Sequence, residues 1–161
     1  MDDVTKAQII SDAHSKADLG KFREAYEVLR PLLDRSVPEA IFLYSTFSVA
    51  DVESETEFER RSLDLLTRAA DLGYAPALYA LGVCYEVGDL VESDPSFAAA
   101  LLRSAAEKGY PKADFRHGLN VYYGSNGMPR DEKSGLALIR VAAKAGVQNA
   151  EDFLKDQGLS N

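Results

Sequence analysis

The chain has 161 residues, of which 46% are hydrophobic and 27% are charged, and its formal net charge is −8. This composition predicts a folded globular protein rather than a disordered chain. The negative charge argues against nucleic acid as a partner, because phosphate binding requires a basic surface. No apolar run is long enough to cross a bilayer, and the N-terminus is polar and acidic. Together with a single cysteine, these features favour a cytoplasmic protein.

Apolar residues at helical spacing predict four helices in the first half of the chain. The first is expected at about residues 4–18, and the second begins at Lys21 and kinks or ends near Pro31. The third begins near Pro38, which suits a first-turn position because no backbone donor is needed there. The fourth is capped by Ser54 or Thr56 and ends near residue 72.

Five further helices are predicted in the second half, at about 75–87, 95–108, 111–123, 131–145 and 148–157. Asp94 and Asp131 are expected to cap the sixth and eighth helices. Glycines at 73, 109, 146 and 158 are placed to end helices in the left-handed conformation.

One sequence phrase occurs three times at an interval of 36 to 37 residues, in 66–77, 98–113 and 139–150. Each copy contains the end of a helix, a glycine and the start of the next helix. A fixed period of this size is typical of a helical repeat array, whose units bury their apolar surface by stacking. Gly82 and Gly118 lie mid-helix, where glycine costs roughly 1 kcal/mol relative to alanine. They therefore predict close helix crossings.

These residues resemble the Sel1-like repeat, a relative of the tetratricopeptide repeat. The resemblance rests on Ala77, Leu81, Gly82, Tyr85, Gly88, Val91, Asp94, Ala98, Ala105, Ala106 and Gly109. It implies an all-α fold, an α/α right-handed superhelical solenoid of about nine helices. It also implies a single domain over 1–161, with an N-terminal helix pair (1–36), three repeats (37–73, 74–109, 110–146) and a C-terminal capping helix (147–161). His117 and Val121 depart from the pattern, because they replace its leucine and tyrosine.

The family is mostly non-catalytic, so the resemblance implies a protein-binding module rather than an enzyme. It places the first helix of each pair on the concave face. Phe42, Tyr79 and Phe115 are then expected to form an aromatic column there, since they are one repeat apart. The flanking residues would be Val83, Glu86, Leu119, Tyr122 and Asp152. Aromatic side chains are effective interface anchors. The alternative is that these rings pack between adjacent repeats.

Other candidate sites are less specific. His14 and His117 are too far apart in sequence to indicate a zinc site, and His117 is expected to be a hydrogen-bonded residue that is either interior or semi-buried. Cys84 is interpreted as a small buried hydrophobic residue. The acidic run from Asp51 to Glu59 is interpreted as a solvated loop, with a docking patch for a basic partner as the alternative. No phosphate-binding loop or dinucleotide fingerprint is present, so no cofactor or metal is expected.

The sequence therefore favours a non-enzymatic module that binds a protein partner, which the acidic charge suggests to be basic. One form of this hypothesis is a dedicated inhibitor, such as a bacterial immunity protein that blocks a toxin. A second hypothesis is an adaptor in signalling or envelope regulation. A hydrolase is the third, and the sequence offers no paired nucleophile and base for it.

Overall fold

The computed structural model describes residues 2–49 and 53–159. Within these ranges the chain forms nine α-helices and no β-strand. The helices are α1 (Asp3–Asp18), α2 (Phe22–Leu33), α3 (Pro38–Ser45), α4 (Glu55–Asp71), α5 (Ala75–Val87), α6 (Pro95–Glu107), α7 (Pro111–Tyr123), α8 (Glu132–Lys144) and α9 (Gln148–Asp156). The predicted all-α helical repeat fold is confirmed. Pro31 lies inside α2, two residues before its end.

Side chains cap the helices at the predicted positions. Ser54 and Glu57 form a capping box at the start of α4, in which each side chain bonds the backbone of the other residue. Asp94 accepts a hydrogen bond from the backbone nitrogen of Phe97 at 3.0 Å. Asp131 accepts the equivalent bond from Ser134 at 3.0 Å. Of the two predicted caps for α4, Ser54 is the one used, so the acidic run enters the helix at Glu55.

The two long connections of the second half are closed by equivalent backbone bonds. In the α5–α6 connection, the nitrogen of Asp94 donates to the carbonyl of Tyr85 at 2.9 Å. In the α7–α8 connection, which is one residue longer, the nitrogen of Asp131 donates to Val121 at 2.8 Å. The helix-ending glycines of the repeats have positive φ, as predicted; Gly146, for example, has φ 82°.

The chain divides into two compact units, residues 1–77 (unit 1) and 78–161 (unit 2). The predicted single domain and its internal boundaries stay a prediction. The core of unit 1 lies among α1, α2 and α3, with Leu29 and Leu32 fully buried. Its buried members are Ala13, Ala25, Leu29, Leu32, Ala40, Leu43 and Phe47.

Unit 2 packs its helices closely in sequence order. A core cluster of Ile139, Ala142, Ala150 and Leu154 joins α8 to α9. Gly82 lets α6 approach α5, since an added Cβ would lie 3.1 Å from Cγ of Leu102. At Gly118 an added Cβ would lie 2.9 Å from Cγ1 of Ile139. Both mid-helix glycines therefore occur at close crossings, as expected.

Candidate functional site

An open cleft of about 520 Å³ lies in unit 2. Its walls are formed by α5, the first turns of α7 and α9, and the turn between α8 and α9. We call it the unit 2 cleft. Its lining residues are Tyr79, Tyr110, Pro111, Lys112, Phe115, Arg116, Ala145, Gly146, Val147, Gln148 and Asn149.

Three half-buried aromatic rings contribute to this cleft. Tyr79 packs edge-to-face against Tyr110, with ring centroids 5.3 Å apart. The ring of Phe115 packs edge-to-face against Phe153 of α9, with ring centroids 6.5 Å apart. Tyr79 and Phe115, which the sequence placed on one surface, thus line the same cleft, and Tyr110 adds a ring that the sequence analysis did not select. A cleft with apolar rings and a few polar groups is a common form of binding site.

None of the five flanking candidates lines the cleft, and three of them, Val83, Leu119 and Tyr122, are half-buried in unit 2. Leu119 and Tyr122 lie against the Ile139 cluster, and Tyr122 contacts Phe153 with ring centroids 5.5 Å apart. Val83 is half-buried in α5. The packing of Leu119 and Tyr122 shows that they contribute to the stability of the fold. Their predicted role in partner binding stays a prediction.

The two acidic candidates interact with residues that line the cleft. Glu86 forms an ion pair with Nη1 of Arg116, and only 19% of its side chain is exposed. Asp152 is exposed and accepts a hydrogen bond from Nε2 of Gln148 at 3.0 Å. Both carboxylates therefore already have a partner within unit 2, which limits what they can offer to a second protein.

Phe42 lies in unit 1, where its ring contacts Tyr74 edge-to-face at 5.5 Å. It is half-buried, so part of the ring remains accessible. The contact is one of ring packing, which was the alternative interpretation for the aromatic candidates. The proposed column of Phe42, Tyr79 and Phe115 stays a prediction.

A second cleft, of about 540 Å³, lies in unit 1, and sequence reasoning missed it. We call it the unit 1 cleft. Its lining combines two tyrosines with residues of both charges: Arg23, Tyr26, Glu27, Tyr44, Val49, Glu53, Glu57, Arg60 and Arg61. The acidic run followed by Arg60 and Arg61 was the available signal, but sequence spacing does not indicate which arginine would pair inward.

Arg61 organises one wall of the unit 1 cleft. Its Nε and Nη2 donate to the two carboxylate oxygens of Glu53 at 2.8 and 2.6 Å. Further bonds reach the carbonyl oxygens of Tyr44 at 3.1 Å and Phe47 at 3.0 Å. The guanidinium also lies 4.2 Å from the centroid of the Tyr44 ring, within cation–π range. The arrangement fixes the residues on both sides of the α3–α4 connection.

The solvated-loop interpretation of the acidic run is wrong for Glu53. Its side chain is only 13% exposed, and the hydrogen bonds from Arg61 hold the pKa of the carboxyl below its ordinary value. Glu55, Glu57 and Glu59 are exposed on α4, whereas Asp51 lies outside the described residues. Within the run, Glu53 is therefore held by Arg61, whereas Glu55, Glu57 and Glu59 belong to the exposed surface of α4.

His117 and Cys84 are half-buried and line neither of the two clefts. Nδ1 of His117 is buried without a hydrogen-bond partner, so the expected hydrogen bond is not found there. Burial, and next the charge of Arg103, lower the pKa of His117. For the half-buried Cys84 thiol, burial disfavours the charged thiolate and therefore raises the pKa. Across residues 2–49 and 53–159, no three His, Cys, Asp or Glu side chains are grouped to hold a metal ion.

A family model for the Sel1 repeat matches residues 59–74, 75–110 and 111–147, together more than half of the chain. The chain belongs to the Sel1 repeat family. A crystal structure of a Sel1 repeat protein from Oxalobacter formigenes is similar, with a TM-score of 0.70 and 25% sequence identity. That similarity covers 80% of this chain and 95% of the other.

Two fungal relatives contain a similar segment. Chitin synthase regulatory factor 3 of Schizosaccharomyces pombe is 30% identical over 110 residues, which are 68% of this chain and 12% of that protein. Chitin synthase regulator SKT5 of Saccharomyces cerevisiae is 28% identical over 141 residues, which are 83% of this chain and 20% of that protein. The chain thus spans no more than a fifth of the length of either relative.

Sel1 repeat proteins are protein-interaction modules built on a non-enzymatic scaffold fold. Nine of the eleven residues that line the unit 2 cleft, from Tyr79 to Val147, lie within the matched repeats, and Gln148 and Asn149 directly follow them. None of the helices that the structure describes is both long and apolar enough to pass through a membrane.

Proposed function

We propose that this Sel1 repeat chain is a non-enzymatic module that binds a partner protein through the unit 2 cleft. The observation that carries the proposal is the presence of Tyr79, Tyr110 and Phe115 in one open cleft. Half-buried rings supply a large contact area at low entropic cost when a partner covers them. Val83, Leu119 and Tyr122 belong to the proposal as supports of this surface, and Glu86 and Asp152 as residues at its edge.

We further propose that the module acts as an adaptor in the cytoplasm. The names of the two fungal relatives support an adaptor, because both are described as regulatory proteins of chitin synthase. A dedicated inhibitor, such as an immunity protein, is the alternative within the same binding function. The net charge of −8 supports a partner that is basic overall.

Affinity capture from the native lysate with matched variants tests the proposal. Tyr79→Ala and Phe115→Ala remove rings from the cleft, whereas Phe97→Ala removes a ring that is 45% exposed elsewhere in unit 2. Quantitative mass spectrometry should show partners that bind the wild type and Phe97→Ala but are lost from both cleft variants. Truncating an interface anchor typically costs about 2 kcal/mol or more, so the loss should be about thirtyfold.

The same experiment separates the adaptor from the inhibitor. Several captured regulators would indicate an adaptor, whereas one stoichiometric toxin-like protein would indicate an inhibitor. Circular dichroism of each variant confirms that it remains folded. Partners that persist in both cleft variants would contradict the proposal. Phe42→Ala tests separately whether that ring in unit 1 contributes to binding.

A further inference from the structure

The unit 2 cleft differs in charge from the chain around it. Lys112 and Arg116 line it, and no carboxylate does, although the chain as a whole is acidic. The amides of Gln148 and Asn149 add polar groups to the same lining. The lining therefore presents more hydrogen-bond donors with positive charge than acceptors with negative charge.

The internal partners leave part of this donor capacity free. Glu86 takes only Nη1 of Arg116, and no partner for Nε or Nη2 is found among the described residues. Lys112 is exposed, and it forms no ion pair with any residue that the structure describes. Asp152 accepts a hydrogen bond from Gln148, and no ion pair joins it to Lys112 or Arg116 among the described residues. Two basic side chains with unused donors thus lie beside the aromatic rings.

We infer that the unit 2 cleft binds a peptide segment of the partner in which an Asp or Glu side chain lies next to a large apolar side chain. This inference rests on the proposed function and adds the chemistry of the bound segment. The apolar side chain would cover Tyr79, Tyr110 and Phe115, while the carboxylate would pair with Lys112 and Arg116. Charge-assisted bonds of this kind are among the stronger hydrogen bonds in proteins.

A basic segment fits the same lining poorly. Its Lys or Arg side chains would approach Lys112 and Arg116 as like charges, and they would find no carboxylate in the lining. The partner can still be basic elsewhere on its surface, because exposed charges more than about 8 Å apart are largely screened at physiological salt. The local lining, rather than the net charge, selects the segment.

Selection from a random peptide library tests the inference. The peptides are displayed with both ends tethered, so that only side chains supply carboxylates, and a parallel library has free C-termini. Selected peptides are then synthesised, and their affinities are measured by fluorescence anisotropy. The proteins are the wild type, Lys112→Glu, Phe115→Ala and the matched charge control Lys133→Glu, an exposed lysine in the first turn of α8.

The tethered library should yield peptides with Asp or Glu beside Phe, Leu, Ile, Met or Trp. Lys112→Glu should weaken them by about fivefold or more, since it converts an attraction into a repulsion, and added salt should weaken wild-type binding. Phe115→Ala should weaken them more strongly, and Lys133→Glu should leave them unchanged.

Other outcomes overturn the inference in distinguishable ways. If the selected peptides are basic, or bind Lys112→Glu as tightly as the wild type, the inferred acidic segment is wrong. The cleft would then still be the proposed binding site. If only the library with free C-termini yields binders, the bound carboxylate is the peptide C-terminus and not an Asp or Glu side chain, and the inference is wrong. If neither library yields a peptide sensitive to Phe115→Ala, peptide binding in the cleft is excluded, and lysate capture alone decides the proposed function.

Discussion

Gly118 of α7 and Gly135 of α8 meet where these helices cross, so that a Cβ added to Gly135 would lie 2.7 Å from the carbonyl oxygen of Gly118. The same added atom would lie 2.6 Å from the backbone nitrogen of Tyr122. Backbone atoms cannot move aside as a side chain can. The α7–α8 crossing therefore depends on the absence of a side chain at Gly135.

We expect Gly135→Ala to destabilise unit 2 by about 1–3 kcal/mol, the usual cost of overpacking. Gly82→Ala is the matched control, because its Cβ would first meet the side chain of Leu102 at 3.1 Å. There the gain of roughly 1 kcal/mol in helix propensity offsets much of the strain. Urea unfolding of both variants measures the difference. Equal stability of the two variants would show that the crossing can relax.

Arg61→Met should destabilise unit 1 by roughly 1.5–3 kcal/mol, because it removes charged hydrogen bonds while keeping much of the apolar stem. The variant leaves the half-buried carboxylate of Glu53 and two backbone carbonyls without their donor. Arg60→Met is the control, since Arg60 is exposed on the neighbouring position of α4. Thermal unfolding of the pair provides the measurement. An equal loss of stability in both variants would show that the hydrogen bonds of Arg61 do not contribute more than an exposed arginine.

Stability should fall in acid partly through Glu53. Because Arg61 lowers the pKa of Glu53 in the folded state, the unfolded chain binds this proton more readily. The contribution is therefore complete above the ordinary glutamate pKa of about 4.3 and is lost as the pH falls through the lower folded value. Glu53→Gln should be less stable at neutral pH and should show a shallower decline below pH ~4.5. Unfolding curves from acid to neutral pH test this, and parallel profiles would contradict it.

His117→Leu should stabilise the protein, most clearly in mild acid. Leucine stands at the corresponding position of the preceding repeat, where Leu81 is buried, and the substitution removes the unpartnered Nδ1. Since the folded-state pKa of His117 is lowered, its neutral form favours folding above the ordinary pKa of about 6.5, and that advantage is lost as pH falls below it. Melting temperatures at pH 5 and 7.5 should therefore rise, with the larger increase at the lower pH. A lower melting temperature at both would refute the packing argument.

The features predicted best from sequence are those that depend on nearby residues. Asp94 and Asp131 bond the third residue after them, and the helix-ending glycines act within a single turn. The family resemblance and the one-repeat spacing together selected Tyr79 and Phe115; both line the unit 2 cleft, and their role in binding stays a prediction. The caps and helix ends follow from local backbone geometry, which a single sequence contains.

The features that sequence reasoning missed depend on which side chains meet across helices. The acidic run gave no reason to select Glu53 rather than its neighbours, because the choice is set by the position of Arg61 two turns into α4. Lys112 and Arg116 were likewise overlooked, since they line a cleft that is completed by the turn between α8 and α9. Charge patterns alone do not specify these pairings.

The bond that joins Asp131 to Val121, like the one from Asp94 to Tyr85, makes each long connection a ring closed at its base. The additional residue of the α7–α8 connection is accommodated inside such a ring, and the cap of the next helix is the same as in the shorter one. An insertion or deletion at the tip of such a connection therefore leaves the register of the flanking helices unchanged. Gly127, exposed near that tip, is therefore a suitable place to insert a tag or a recognition loop while the packing of the flanking helices is retained.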